Sequence, residues 1–159
     1  MAVTIRSATP RDAGLIVKFI MDLAVYEKLE EAAKASEADI ARDLFGPLPK
    51  AFCEIAEWDG EPVGFALWFY TYSTFLGRAG IWLEDLFVDP AARGRGAGKA
   101  LLKSLAARCL AEELGRLEWS VLDWNQPSID FYRSQGAEMM SDWEHCRVEG
   151  EALIRLGSK

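Results

Sequence analysis

The segment from Arg93 to Lys99, Arg-Gly-Arg-Gly-Ala-Gly-Lys, has the residue types and spacing that most directly indicate chemistry in this sequence. It lies between a predicted strand and a predicted helix. Glycines in such a turn expose backbone N–H groups, and the start of the helix adds the positive end of its dipole. The segment therefore predicts a binding site for a phosphate group. The alternative is a surface loop in which glycine only turns the chain.

The spacing of the glycines separates the known phosphate-binding motifs. A P-loop needs glycine where Arg93 stands and serine or threonine where Ala100 stands, so that motif fails. The dinucleotide motif G-x-G-x-x-G fails because Gly94, Gly96 and Gly98 are evenly spaced. An Arg-x-x-Gly-x-Gly pattern remains, and Arg93, Gly96 and Gly98 satisfy it.

Two groups of carboxylates could bind a cation. Glu27 stands with Glu30 and Glu31 near Tyr26, at the end of a predicted helix. Spaced carboxylates would select a molecule with several positive charges, although a solvated charge run is the plainer interpretation.

The second group, Glu84 and Asp85, consists of neighbours on a predicted strand. Adjacent strand residues point to opposite faces unless a bulge intervenes, so only one can readily face a substrate. The alternative is one buried carboxylate paired with an arginine.

The elements that position these residues follow from hydrophobic periodicity and turn signals. Strands are predicted at residues 3–7, 51–58, 62–72, 79–88, 117–122, 137–140 and 147–156, with a tight turn at Asp59-Gly60. Helices are predicted to start at Thr9, Ser36, Asn125 and after the glycine-rich turn, and to end near Tyr26, Gly46, Gly136 and Gly115 respectively. The order predicts an α/β fold with a mixed, mostly antiparallel central sheet and helices on both faces. Residues 79–122 should form a parallel strand–helix–strand crossover.

Composition excludes several classes of function. The 159 residues carry 18 Lys and Arg against 25 Asp and Glu, a net charge of −7, so we expect no nucleic-acid partner. No apolar run is long enough to span a membrane, so we expect no membrane association. Cys53, Cys109 and Cys146 are widely spaced and accompany one histidine, His145. We therefore expect no disulfide, no metal site and a cytoplasmic protein.

Four segments carry a resemblance to a known family: the Arg-x-x-Gly-x-Gly turn, Trp124-Asn125-Gln126-Pro127-Ser128-Ile129-Asp130-Phe131-Tyr132, residues 23–31, and Phe65-Ala66 with Phe69-Tyr70-Thr71-Tyr72. Together they resemble the GNAT acetyltransferases, and among these the spermidine/spermine N-acetyltransferase group, which includes thialysine and diamine acetyltransferases. The resemblance runs from about Ile5 to Leu156. One departure is the Asp59-Gly60 connection, which is shorter than in animal members.

The resemblance implies one GNAT domain over residues 1–159 that moves an acetyl group from acetyl-coenzyme A to a small cationic amine. Polyamines, diamines and thialysine-like amines are the implied acceptors, and a homodimer is the implied assembly. Direct transfer in a ternary complex is expected, because no residue is set up to carry the acyl group. The alternatives are another amine acceptor (an amino acid, an aminoglycoside or a protein N-terminus) or a coenzyme A sensor without catalysis, which would not need Tyr132.

The resemblance also implies roles for individual residues. Tyr132 matches the general acid, and a phenol with a pKa of about 10 stays protonated at neutral pH and can donate to a leaving thiolate. Its alternative role is that of an aromatic anchor beside Phe131. Glu84 matches a substrate contact that could relay the amine proton through water. Binding of acetyl-coenzyme A is implied for Leu86, Phe87, Val88, Arg93, Gly94, Arg95, Gly96, Ala97, Gly98, Lys99, Asn125 and Ser128. Substrate contacts are implied for Tyr26, Glu27, Glu84, Glu118, Trp119, Ser120 and Glu144. Helix capping is the alternative for Asn125 and Ser128, and it is compatible with the binding role.

Overall fold

Five strands form one sheet in the computed structural model, which describes residues 2–159. The strands are β1 Val3–Ser7, β2 Phe52–Trp58, β3 Glu61–Ser73, β4 Arg78–Val88 and β5 Leu117–Trp119, and they neighbour one another in that order. The first four pair antiparallel, and β5 pairs parallel with β4. The mixed, mostly antiparallel sheet and the parallel crossover are therefore confirmed. Asp59 and Gly60 both have positive φ, at 52° and 83°, as a two-residue hairpin turn requires.

Five α-helices accompany the sheet: α1 Ala13–Tyr26, α2 Glu37–Phe45, α3 Ala97–Ala111, α4 Gln126–Ser134 and α5 Gly150–Gly157. A single 3₁₀ turn, Pro10–Asp12, leads into α1. The chain divides into two compact units, residues 1–120 and 121–159. The first unit contains the sheet and α1 to α3, and the second contains α4 and α5. No helix within residues 2–159 has both the length and the apolar character needed to cross a membrane.

Helices cover both faces of the sheet, because its side chains alternate along each strand. On one face Phe19 of α1 stacks on Phe65 of β3 with ring centroids 5.5 Å apart. On the other face Arg108 of α3 lies 5.0 Å from the ring of Trp68 and pairs with Glu54 at 3.2 Å. The predicted two-sided arrangement is thereby confirmed.

Helix α2 begins at a capping box, as the sequence predicts. The Ser36 hydroxyl accepts a hydrogen bond from the Asp39 N–H at 3.2 Å, and the Asp39 carboxylate accepts one from the Ser36 N–H at 2.9 Å. We expect Ser36→Ala to lower the free energy of unfolding by about 1 kcal/mol, because one donor at the helix start loses its partner. Urea denaturation measures this loss. Ser36→Thr keeps the oxygen, and an equal loss in both variants would contradict the capping role.

The prediction of two final strands, at residues 137–140 and 147–156, is wrong. Residues 137–149 lie outside helices and strands, and residues 150–157 form α5 instead of part of a strand. Apolar residues at 148, 152, 153, 154 and 156 do not alternate cleanly, and Ala, Leu, Glu and Arg favour helix over strand. Glu151 and Arg155 also form an i,i+4 ion pair at 3.8 Å, which a strand would not allow.

The predicted end of α3 needs a smaller correction. The helix ends at Ala111, and the residue that reverses the chain with a positive φ is Glu113, at 56°. Gly115 has another role, because a Cβ there would lie 2.8 Å from Cδ1 of Leu76. Glycine at this position therefore permits a close approach between the chain before β5 and the β3–β4 turn. β5 itself ends at Trp119, three residues before the predicted end.

Candidate active site

A bulge in β4 sets the geometry of the site. Leu67 of β3 pairs with Asp85 and the next residue, Trp68, pairs with Leu83, so Glu84 is the extra residue of β4. A bulge bends its strand and re-aims the side chains beside it. The simple alternation expected for the two neighbouring carboxylates therefore does not hold at this point.

The bulge also marks where β4 and β5 stop pairing. β5 pairs with Ile81, Trp82 and Leu83 of β4 and with no later residue. From Glu84 to Val88, no strand within residues 2–159 pairs with β4 on that side, while β3 still pairs with it on the other. This stretch presents main-chain N–H and C=O groups that an extended ligand could pair with, as an added strand does.

Three carboxylates at the start of this unpaired edge repel one another through their charges. Burial, reinforced by the negative charges of Glu84 and Glu27, raises the pKa of Asp85 from 3.8 to about 7. Burial raises the pKa of Glu27 as well, and the charge of Glu84 adds to the shift. Glu84 is the exposed member of the three, and its carboxylate accepts a hydrogen bond from Nε1 of Trp82 at 3.0 Å. We call these three residues the acidic cluster.

The acidic cluster supports Glu27 and Glu84 as cation-binding candidates and adds Asp85, the member of the adjacent pair that was not expected to face the substrate together with Glu84. Like charges held together stabilise a bound cation, and a carboxyl with a pKa near 7 can exchange protons at neutral pH. The adjacent pair Glu84-Asp85 marks Asp85 as a candidate in the sequence, but its placement near Glu27 together with Glu84 depends on the bulge. The alternative of a buried carboxylate paired with an arginine does not describe Asp85, whose pKa is governed by burial and by two acidic neighbours.

The glycine-rich turn opens α3 in the way that anion binding requires. Gly94 and Gly96 have φ of 80° and 84°, where a side chain would strain the backbone. The first helical hydrogen bond runs from Ala100 N–H to the Gly96 carbonyl, so the N–H groups of residues 97–99 have no partner within the helix. The turn that the sequence predicts between a strand and a helix is confirmed.

The two arginines of the turn stack on aromatic rings of other elements. The Arg93 guanidinium lies 4.8 Å from the ring of Tyr26 and 5.8 Å from that of Phe87, and its Nε–H donates to the Val88 carbonyl at 3.0 Å. The Arg95 guanidinium lies 4.9 Å from the ring of Trp58. The turn is therefore held by α1, β4 and the end of β2.

The remaining candidates of the first unit lie on β4 and on or beside β5. Glu118 pairs in register with Trp82, and its carboxylate accepts a hydrogen bond from Nε of Arg116 at 3.0 Å. Trp119 is half-buried and Ser120, just past the strand, is exposed. On β4, Leu86 and Val88 are half-buried and Phe87 is buried.

The second unit contains four further candidates. Asn125 caps α4, and its Oδ1 accepts a hydrogen bond from the Ser128 N–H at 3.4 Å, so the capping alternative is confirmed for this pair. Tyr132 is 9% exposed, and its ring centroid lies 5.6 Å from that of Phe131. Glu144 lies in the stretch outside helices and strands and is exposed.

The cysteines and possible metal ligands were also located. Cys53 and Cys109 are buried, and Cys146 is exposed. Within residues 2–159, no three His, Cys, Asp or Glu side chains are grouped closely enough to hold a metal ion.

Comparisons with known proteins fit this geometry. Residues 19–137 match the model of the acetyltransferase (GNAT) family. The chain is 40% identical to thialysine N-epsilon-acetyltransferase of Bos taurus, over 99% of this chain and 98% of that protein. It is 31% identical to L-ornithine N5-acetyltransferase NATA1 of Arabidopsis thaliana, over 94% of this chain and 85% of that protein.

A solved structure gives the same picture of the fold. An integron cassette protein from the mobile metagenome of V. cholerae aligns with a TM-score of 0.83 and 28% sequence identity. The alignment covers 100% of this chain and 99% of that protein.

Proposed function

Because the chain belongs to the acetyltransferase (GNAT) family, we propose that it moves the acetyl group of acetyl-coenzyme A to a primary amine of a small cationic acceptor. The chain is an N-acetyltransferase enzyme. The acceptor class is a polyamine, a diamine or a thialysine-like amine, and transfer is direct within a ternary complex.

The acidic cluster is the observation that carries the acceptor class. A primary amine with a pKa of about 10.4 arrives mostly as ammonium at neutral pH. Glu27, Glu84 and Asp85 would attract it. Burial, to which the repulsion between these carboxylates adds, raises the pKa of Glu27 and Asp85, and a bound ammonium would offset that repulsion. The two relatives described above are named for thialysine and ornithine, and both compounds have a primary amine at the end of a side chain.

The donor site fits acetyl-coenzyme A in two places. The N–H groups of residues 97–99 and the positive φ of Gly94 and Gly96 suit a pyrophosphate. The unpaired edge from Leu86 to Val88 suits the amides of an extended pantetheine arm. When bound, acetyl-coenzyme A supplies the thioester whose acetyl group is transferred.

The chain's own residues would move the protons. Glu84, the exposed member of the acidic cluster, would contact the substrate ammonium and relay the proton that the ammonium loses. Ionised Asp85 would accept that proton. A backbone N–H between Leu86 and Val88 would polarise the thioester carbonyl. Tyr132 would donate a proton to the departing thiolate, with Asn125 and Ser128 near the pantetheine. Tyr26, Glu118, Trp119, Ser120 and Glu144 are the further proposed substrate contacts.

The proposal treats the chain as one catalytic domain that works as a homodimer in the cytoplasm. The family match, residues 19–137, crosses the boundary between the two units. Leu153, Ile154 and Leu156 of α5 are more than half exposed, so this helix offers an apolar surface for a second copy. Light scattering after gel filtration gives the oligomeric state directly.

A matched pair of amines tests the acceptor class. We expect putrescine to exceed butylamine in kcat/KM by about tenfold or more, because the second ammonium gains a contact with a partly buried carboxylate. Thiol release from acetyl-coenzyme A measures both rates, and the same assay ranks spermidine, spermine, thialysine, ornithine, lysine and an aminoglycoside. Equal rates for putrescine and butylamine would contradict selection by charge.

A variant ties the selectivity to the acidic cluster. Glu27→Gln should bring the kcat/KM values of putrescine and butylamine closer together. Glu61→Gln, which removes an exposed carboxylate at the first residue of β3, should leave their ratio unchanged. If acetyl-coenzyme A binds and no amine of the panel turns over, the proposed acceptor class is wrong.

A further inference from the structure

Tyr26 lies between the two halves of the candidate site. It is the last residue of α1, so its backbone is fixed by a helix whose buried residues include Ile16, Phe19 and Leu23. Its half-buried ring is 4.8 Å from the Arg93 guanidinium, and the next residue, Glu27, belongs to the acidic cluster. One helix end therefore touches the turn on one side and the carboxylates on the other.

The contacts of Arg93 hold its guanidinium in one orientation. Nε–H donates to the Val88 carbonyl, and two aromatic rings cover the planar group. Within residues 2–159 no protein group accepts a hydrogen bond from its two terminal nitrogens, and the side chain is exposed. Such a fixed fork is suited to an anion at the turn, because less side-chain entropy is lost when it binds.

The two rings differ in how they are tied to the rest of the site. Phe87 is a residue of β4 and is buried in the core beneath α1. Tyr26 belongs to the helix that also bears Glu27, so any adjustment of that helix end moves ring and carboxylate together. An ammonium bound at Glu27 would thus also fix the ring that holds Arg93.

We propose that Tyr26 is a positioning residue that couples the donor and acceptor sites: its ring fixes Arg93 for the diphosphate of coenzyme A, so that each bound substrate favours the other. This rests on the proposed function. The coupling is reciprocal, since a change in the affinity for one ligand caused by the other must equal the reverse change.

Binding of coenzyme A, measured by isothermal titration calorimetry without amine, tests whether the Tyr26 ring positions Arg93. We expect Tyr26→Leu to weaken binding about two- to tenfold, the range of one cation–π contact. Tyr26→Phe keeps the ring and should bind within about twofold of the wild type. In an Arg93→Ala background, Tyr26→Leu should have no further effect on the dissociation constant.

The coupling between the two sites is tested with coenzyme A and amine together. They form a ternary complex with the protein but cannot react, because no acetyl group is present. At an amine concentration that saturates each variant, the best amine of the panel should tighten coenzyme A binding in the wild type and in Tyr26→Phe, and should not do so in Tyr26→Leu. Circular dichroism and thermal unfolding confirm that the variants fold, and Arg93→Ala, at an exposed position, tests the pair should Tyr26→Leu be unstable.

The outcomes separate this inference from the proposed function. If the wild type binds coenzyme A and Tyr26→Leu binds it equally well, or if Tyr26→Phe is as weak as Tyr26→Leu, the positioning role is wrong and the acetyltransferase proposal stands. A wild type whose coenzyme A affinity is unchanged by amine overturns the coupling. A wild type that does not bind coenzyme A overturns both.

Discussion

Tyr132→Phe is expected to lower kcat about 100- to 10,000-fold, the usual contribution of a positioned general acid. This corresponds to about 3–5 kcal/mol of transition-state stabilisation. Phenylalanine keeps the ring and removes only the hydroxyl, so the buried environment of a side chain that is 9% exposed is largely preserved. The KM for acetyl-coenzyme A should change by less than about threefold, because the role proposed for the hydroxyl is at the departing thiolate and not in the bound ground state.

Steady-state thiol release at saturating amine measures this prediction. The variant also separates the two roles given to Tyr132, because an aromatic anchor would survive the change to phenylalanine. Phe131→Leu serves as the matched control, since it alters the neighbouring ring and leaves the hydroxyl in place. A Tyr132→Phe enzyme with near wild-type kcat would assign the tyrosine to packing and leave the acid to be found elsewhere.

Asp85→Asn is expected to change both the pH profile and the stability. In the wild type, kcat/KM should rise with pH through about 7 as Asp85 ionises and becomes able to accept the amine proton. Asparagine cannot accept it, so the inflection near pH 7 should disappear and kcat/KM at pH 8 should fall about 100-fold. A wild-type profile in the variant would exclude Asp85 as the acceptor.

The stability of the same variant should depend on pH with a definite sign. The folded protein raises the pKa of Asp85 from 3.8 to about 7, so the fold favours the neutral carboxyl. That contribution is fully present below about pH 4 and is lost as pH rises to 7 and above. Asp85→Asn should therefore unfold much like the wild type at pH 4 and be more stable at pH 8, by up to about 4 kcal/mol.

Denaturant unfolding at both pH values measures this difference. Asp123→Asn, which removes an exposed carboxylate in the other unit, should show no such dependence. Equal stability of Asp85→Asn and the wild type at pH 8 would mean that the carboxyl is better solvated than its surroundings indicate.

Most of the elements that build the site could be predicted from local signals. The turn after β4 needs glycine at two positions of positive φ, and the hairpin needs Asp59-Gly60, so both are visible in the sequence. The caps at Ser36 and Asn125 depend on hydrogen bonds between residues only three positions apart, and such a spacing can be recognised in the sequence alone.

The parts that could not be predicted depend on contacts between distant segments. The bulge at Glu84 arises from the register of β3 against β4, and no residue type at that position announces it. The raised pKa of Asp85 comes mainly from burial in the folded chain, and the charge of Glu27, almost sixty positions earlier, adds to it. Near the C-terminus, the short apolar runs do not alternate cleanly, so their pattern does not distinguish a helix from a strand. The prediction of strands there was wrong.

The unpaired edge of β4 also bears on how the protein avoids self-association. A strand edge with open hydrogen-bonding groups is a template for pairing with other chains and for aggregation, and regular edges are the most dangerous. Here the edge begins with a bulge and two adjacent carboxylates, Glu84 and Asp85. The irregular backbone and the negative charge both oppose the docking of a foreign strand. Glu84 and Asp85, the residues proposed to meet the amine, would thus also oppose strand-to-strand aggregation at the part of β4 that β5 leaves unpaired.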